Sequence, residues 1–321
     1  MDEYLKIKLD KMKPEQRDQA IKYMLGVKDS EKARQAQEIK LSLVSDYTEQ
    51  AIELNKTWGE MQGLSTGYPK LDRLTRGLVG GELIVLAGKT SYGKTTLAIN
   101  VANQVALTGI PVLFVSLEMT HAEIASRYMN INGGDTDNYH AVAALTAMQA
   151  NDELNWKSVD PLVRYAKEEM GVGLIVIDHL HYFTRELENV AEDIGRITKE
   201  FKKNAIRHAL PVVLISHVRK TGTKTEAAIE DLRGSSYIAQ DADIVLMVAR
   251  DEADEHLLGV RIDKNRNRGF DFKNNVAELY LDKIKVYNDK FDTVFGPENK
   301  TAPQSPEEQP NATEDAVLPL F

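Results

Sequence analysis

The chain has 321 residues, 42% of them apolar and 28% charged, an ordinary globular mixture able to build a core. It has no cysteine, which excludes disulfide scaffolds, iron–sulfur clusters, thiolate zinc sites and cysteine nucleophiles. Forty basic against 49 acidic residues give a net charge of −9, which argues against indiscriminate nucleic-acid binding but leaves room for a local basic channel.

At the N terminus, MDEYLKIKLDKMK puts charges where a secretory leader needs an apolar run, and no uncharged apolar stretch is long enough to span a bilayer. A cytoplasmic protein with no membrane partner is expected. Residues 1–58 read as a helical or linker segment. Ala20, Ile21, Met24 and Leu25 recur at helical spacing before Gly26, and a second amphipathic run extends from Ser30 to Trp58. That run either packs on its own domain or docks on a neighbouring subunit. Over 59–296 the texture changes to alternating strands and helices. Near-continuous apolar strands are predicted at 82–88, 112–118, 174–180, 212–218 and 243–249, with helices over 95–107 and 191–209 between them. Strands apolar on every residue are buried on both faces, so the pattern predicts an α/β fold with a mostly parallel sheet flanked by helices. Residues 259–266 and 275–282 read as an edge hairpin. Residues 297–321 hold five prolines and a net charge of −4, a composition expected to stay disordered, and they end in the apolar AVLPLF.

Gly88-Lys89-Thr90-Ser91-Tyr92-Gly93-Lys94-Thr95 fits G-x-x-x-x-G-K-[ST] between a predicted strand and a predicted helix that continues through Thr96. The glycines Gly88 and Gly93 let backbone N–H groups, including those near Ser91 and Tyr92, curl round a phosphate, and the helix N-terminus favours negative charge. Lys94 is expected on the β- and γ-phosphates of ATP or another nucleoside triphosphate, and the Thr95 hydroxyl on Mg²⁺. Asp178 ends the strand LIVID and is expected behind the same metal. Glu118 ends VLFVSLE, where a carboxylate can take a proton from water attacking the γ-phosphate. His217 ends VVLISH, where it can sense that phosphate. His179 and His181 flank this edge, but with no cysteine nearby a zinc site is not expected.

In this order the motifs resemble the RecA-like motor domain of the DnaB family of replicative hexameric helicases, especially its phage and mitochondrial primase-helicase branch. The resemblance covers roughly residues 62–285 and rests on six segments in family order: LSTGYPKLDRLTRGLVGGELIVLAGKTSYGKTTLAIN, FVSLEM, LIVIDHL, PVVLISHVRK, DLRGSSYIAQDADIVLMVARD and VRIDKNRNRG. It implies an ATP-dependent DNA helicase using Mg²⁺, working as a homo-oligomeric ring, hexameric in family terms, on single-stranded and forked DNA with 5′→3′ travel. It implies Glu118 as general base, His217 and Gln240 as reporters of the γ-phosphate, and Arg266 as an arginine finger acting in trans with Lys264 beside it. Arg233, Gly234 and Ser236 would lie against the DNA backbone. Arg219, Lys220 and Lys224 in the Gly- and Thr-rich loop, and Arg185 after Asp178, are further DNA candidates, because small residues and cations suit a phosphate track.

The resemblance is not expected to extend to the family's primase module, and residues 1–58 are shorter than its usual N-terminal domain. The acidic tail resembles tethered peptides that dock a sliding clamp, polymerase or primase. Two other functions share many of these residues: a RecA-like filament recombinase, and a DNA-binding adaptor ATPase without processive unwinding.

Overall fold

The computed structural model describes residues 60–134, 142–146, 156–180, 190–218, 229–232, 235–251, 253–266 and 275–290, together with 45, 48–50 and 52. The chain divides into two compact units, Met1–Gly59 and Glu60–Phe321. In the first, the Thr48 hydroxyl donates to the Ser45 carbonyl at 2.7 Å. Most of the expected N-terminal helices, and the whole of the tail, lie outside the described residues.

In the second unit the strands are β1 (Leu83–Gly88), β2 (Val112–Ser116), β3 (Val142–Thr146), β4 (Leu174–Asp178), β5 (Val212–His217), β6 (Ile244–Arg250), β7 (Leu257–Asn265), β8 (Val276–Asp282) and β9 (Lys285–Tyr287). The helices are α1 (Pro69–Thr75), α2 (Lys94–Leu107), α3 (His121–Ile131), α4 (Val159–Glu168), α5 (Val190–His208) and α6 (Ser235–Asp241). Among the described residues the strands form a single sheet in the order β3-β2-β4-β5-β1-β6-β7-β8-β9. The first six in that order run parallel, and β7, β8 and β9 extend the sheet as antiparallel strands beyond β6.

Each face of the sheet carries its own core. Along β1, Ile84 and Leu86 join one cluster with Leu97 and Ile99 of α2, Tyr128 of α3 and Phe114. Leu83, Val85 and Ala87 point the other way, into a cluster with Val163 of α4 and Ile197 and Phe201 of α5. Alternation within an all-apolar strand is what two covered faces require. On β7 and β8 only one face is covered: Leu258, Val260, Ile262, Ala277, Leu279 and Leu281 are buried, and their neighbours are more exposed. None of the described helices is long and apolar enough to cross a membrane.

Two buried polar side chains hold the central elements in register. Asn100 of α2 donates to the carbonyls of Thr96 and Ile284, each at 2.8 Å, and accepts from the Val286 N–H at 3.0 Å. Its amide is satisfied on both ends and fastens β9 to α2. Asp243, just before β6, accepts from the Leu83 N–H of β1 at 2.8 Å and pairs with Lys202 of α5 at 2.6 Å.

Candidate active site

The turn between β1 and α2 is built by backbone conformations few residues tolerate. Gly93 sits at φ 89° as the N-cap of α2, where a side chain would be strained. Gly88 lies so close to β6 that a Cβ there would stand 2.4 Å from the Val248 carbonyl oxygen. Ser91, at φ 68°, is the loop's non-glycine residue in the left-handed region. Ser91 is exposed at the rim, and Tyr92, Thr95 and Thr96 are half-buried. The Lys89 ammonium lies 5.7 Å from the Tyr92 ring centroid. Lys94 opens α2, is only 4% exposed, and donates to the Lys89 carbonyl at 2.9 Å. Burial pulls its amine down to about 8, against the attraction of Asp178 and Glu118. A buried ammonium at a helix N-terminus is suited to an incoming anion, which would return the lost countercharge.

Sheet order determines what faces this loop. Moving outward from β1, the next strands are β5, β4 and β2, all parallel and all ending on the same edge. His217 at the end of β5 pairs in register with Gly88. Asp178 at the end of β4 pairs with Ser116 of β2, and the Leu117 N–H donates to the Asp178 carbonyl at 2.8 Å. Glu118 follows two residues after β2. Asp178 is buried, and burial raises its carboxyl to about 6, opposed by a hydrogen bond from Thr95 and by Lys94. A buried carboxylate bonded to the hydroxyl at the start of α2 is a fitting donor set for a hard divalent cation.

Glu118 is half exposed, and its Oε1 lies 3.1 Å from Nδ1 of the buried His179. The His179 ring meets the His217 ring edge-on, with centroids 4.5 Å apart. One ligand atom from each of Glu118, His179 and His217 falls within 4.8 Å of the others. Two imidazoles and a carboxylate can hold a transition-metal cation without any cysteine, so the expectation against zinc, which rested on the lack of cysteine, does not follow for this cluster.

The remaining expected site residues sit elsewhere. Across β1 and β6, Ile84 is opposite Ile244 and Gly88 opposite Val248. The antiparallel β7 returns so that Lys264 is opposite Val245 and Asn265 opposite Ile244. Lys264 and Arg266 therefore lie at the edge where β6 begins, roughly 13 Å along the strands from the loop at about 3.3 Å per residue. Gln240, expected to report the γ-phosphate, is exposed at this same far edge in α6 and is not brought to the loop of its own chain. Arg266 reaches Asp243 at 3.4 Å and donates to the Gln240 carbonyl. Lys264 donates to the Ala242 carbonyl at 2.5 Å, and its amine is lowered by burial and by Arg266. Arg185, Arg219, Lys220, Lys224, Arg233 and Gly234 lie outside the described residues, as does the side chain of Ser236, whose backbone is in α6.

Asp243 and Asn100 carry no signal in the sequence. Each acts through contacts more than a hundred residues away, so a local pattern could not mark them. His179 stands out there only as a neighbour of Asp178.

A half-wound turn that hands a buried lysine to a helix, on a parallel sheet crossed in this order, defines a RecA-like phosphate-loop nucleotide-binding domain. The chain belongs to the family of DnaB-like helicase C-terminal domains, whose model matches residues 63–283. It is 27% identical over 303 residues to the replicative DNA helicase DnaB of Geobacillus stearothermophilus, covering 84% of this chain and 65% of that one. It is 30% identical over 223 residues to the replicative DNA helicase DnaB of Leifsonia xyli subsp. xyli, covering 61% and 49% respectively. The chain thus spans about half to two thirds of the length of these relatives. Among solved structures, a DnaB-like replicative helicase superposes with a TM-score of 0.63 at 19% identity, covering 77% of this chain and 67% of that one; at that identity the likeness concerns the fold.

Proposed function

We propose that this chain is the motor of a replicative DNA helicase that hydrolyses ATP or another nucleoside triphosphate at the interfaces of a ring, in family terms a hexamer. One observation carries the reading. The loop, Asp178, Glu118 and His217 share one edge of the sheet, while Arg266 and Lys264 are held at the opposite edge by Asp243 and the Ala242 carbonyl. A finger on the far edge cannot serve its own loop, but in a head-to-tail ring each copy offers that edge to the loop of the next.

In this reading Lys94 donates to phosphate oxygens and the loop amides cradle them. Thr95 and Asp178 would hold a magnesium ion, which would supply positive charge to offset that of the triphosphate. Glu118 accepts a proton from the attacking water, His217 meets the γ-phosphate, and Arg266 of the adjacent copy offsets charge developing on the transferred group. Gln240, beside Arg266, would then report on the neighbour's nucleotide. The segments with Arg185, Arg219, Lys220, Lys224, Arg233, Gly234 and Ser236 would track one DNA strand. The C-terminal tail would dock a sliding clamp, polymerase or primase, the protein acting with the replication machinery in the cytoplasm.

Forked duplexes with a 5′ or a 3′ single-stranded tail test this, alongside the mass of the protein with and without nucleotide. Strand separation from the 5′-tailed fork by a ring-sized species is expected. Hydrolysis stimulated by single-stranded DNA with no separation of either fork would favour a DNA-binding adaptor.

A further inference from the structure

Glu118 has two rotatable bonds beyond its Cβ and a half-exposed carboxylate, so where that carboxylate points depends on what it touches. What touches it comes from the next strand: Nδ1 of His179, at 3.1 Å. His179 is itself fixed, 6% exposed and directly after Asp178 at the end of β4. Its ring also meets the ring of His217, at the end of β5. The strand order β2-β4-β5-β1 thus sets Glu118, His179, His217 and the phosphate loop in a row, with His179 as the one member of that row given no role so far.

We infer that His179 is a positioning residue: its imidazole holds the Glu118 carboxylate in place to receive the water proton and ties that placement to the orientation of His217. This rests on the proposed function, in which Glu118 is the base and His217 meets the γ-phosphate. Nδ1 of His179 and Oε1 of Glu118 stand 3.1 Å apart without the alignment of a hydrogen bond, a small rotation short of one, and the His179–His217 contact is edge-to-face, so a turn of the His217 ring is felt directly by the ring that steadies the base. A long carboxylate held by a rigid partner approaches water in one geometry, whereas a free one samples several, and misplacement of a reacting group by an ångström costs orders of magnitude in rate.

The test uses the full chain with ATP, Mg²⁺ and single-stranded DNA. His179→Ala should lower kcat about tenfold with KM, and the affinity for a fluorescent ATP analogue, within about twofold of wild type. His179→Gln, which keeps a donor, should recover much of that loss. On a His217→Ala background the further loss from His179→Ala should be much smaller, because the two act as a unit. A rise in KM with kcat unchanged, equal loss from Gln and Ala, or full additivity with His217→Ala would each overturn the role. Unaltered affinity for the ATP analogue shows that the variants are folded. Glu118→Gln separates the two levels: if it leaves kcat intact, the base assignment itself fails and the inference falls with it, whereas a lost kcat with an indifferent His179→Ala overturns only the inference.

Discussion

Burial sets the chemistry of Lys94 and Asp178 before any ligand arrives. The Asp178 carboxyl is raised to about 6 chiefly by loss of solvent, so the fold favours its protonated form. A raised carboxyl contributes stability in full below its ordinary value near 4, and that contribution is lost as pH rises through 6. At pH 7.5 the ionised side chain is therefore a net cost. Asp178→Asn should stabilise the nucleotide- and magnesium-free protein at pH 7.5 by about 2–3 kcal/mol, with most of that gain gone by pH 4. Urea melts at the two pH values measure this; a variant less stable at pH 7.5 would mean that the Lys94 attraction outweighs burial. Lys94 works in the opposite sense. Its amine falls to about 8 from an ordinary value near 10.5, so its contribution is whole above 10.5 and lost as pH drops through 8. Lys94→Met should therefore raise the melting temperature at pH 7 while abolishing hydrolysis. Equal melting temperatures for variant and wild type would contradict the desolvation argument, and retained turnover would remove Lys94 from the phosphate site.

Elements carry these residues to the edge, and some of that transport depends on local chemistry. Helix α3 begins immediately after Glu118-Met119 with a capping box: Thr120 accepts from the Glu123 N–H, and the Glu123 carboxylate accepts from the Thr120 N–H at 2.8 Å. Thr120→Ala should cost about 1 kcal/mol in a denaturant melt and loosen the turn that presents Glu118. No change in the midpoint would show the cap to be redundant with the packing of Ile124, Tyr128 and Ile131. The strands buried on both faces are legible from sequence because the signal lies within a few residues, whereas the Thr120–Glu123 box, equally local, is identified only in the structure. The phosphate loop is legible too, because its spacing contains its own geometry. β3 is not legible, because Val142–Thr146 sits in the Ala-rich run AVAALTAMQA, which reads equally as helix. Nor is β9, because three residues become a strand only through Asn100 and β8. The juxtaposition of Glu118, Asp178, His179 and His217 is only partly legible. Each ends an apolar run or stands beside one that does, but their adjacency comes from the order β2-β4-β5-β1, which no local pattern encodes.

For the whole molecule, the proposed function implies that one chain would hold two halves of different sites. The loop leaves one edge of the sheet, and Arg266 is braced at the other on Asp243, which also bonds the first N–H of β1 and Lys202. Arg266→Ala should leave nucleotide affinity near wild type yet cut hydrolysis by about two to three orders of magnitude, the usual cost of a lost charge-stabilising group. Lys94→Ala should be inactive for the other reason, because its own loop would fail while its finger stays intact. Mixed in one ring, the two variants rebuild a complete site wherever an Arg266→Ala loop meets a Lys94→Ala finger. With random assembly at equal amounts that is roughly one interface in four. Steady-state hydrolysis against mixing ratio should therefore rise from near zero at both ends to a maximum near equal proportions, at most about a quarter of the wild-type rate. Activity flat at zero across all ratios, in rings shown by mass to contain both chains, would place the finger and the loop in the service of separate events.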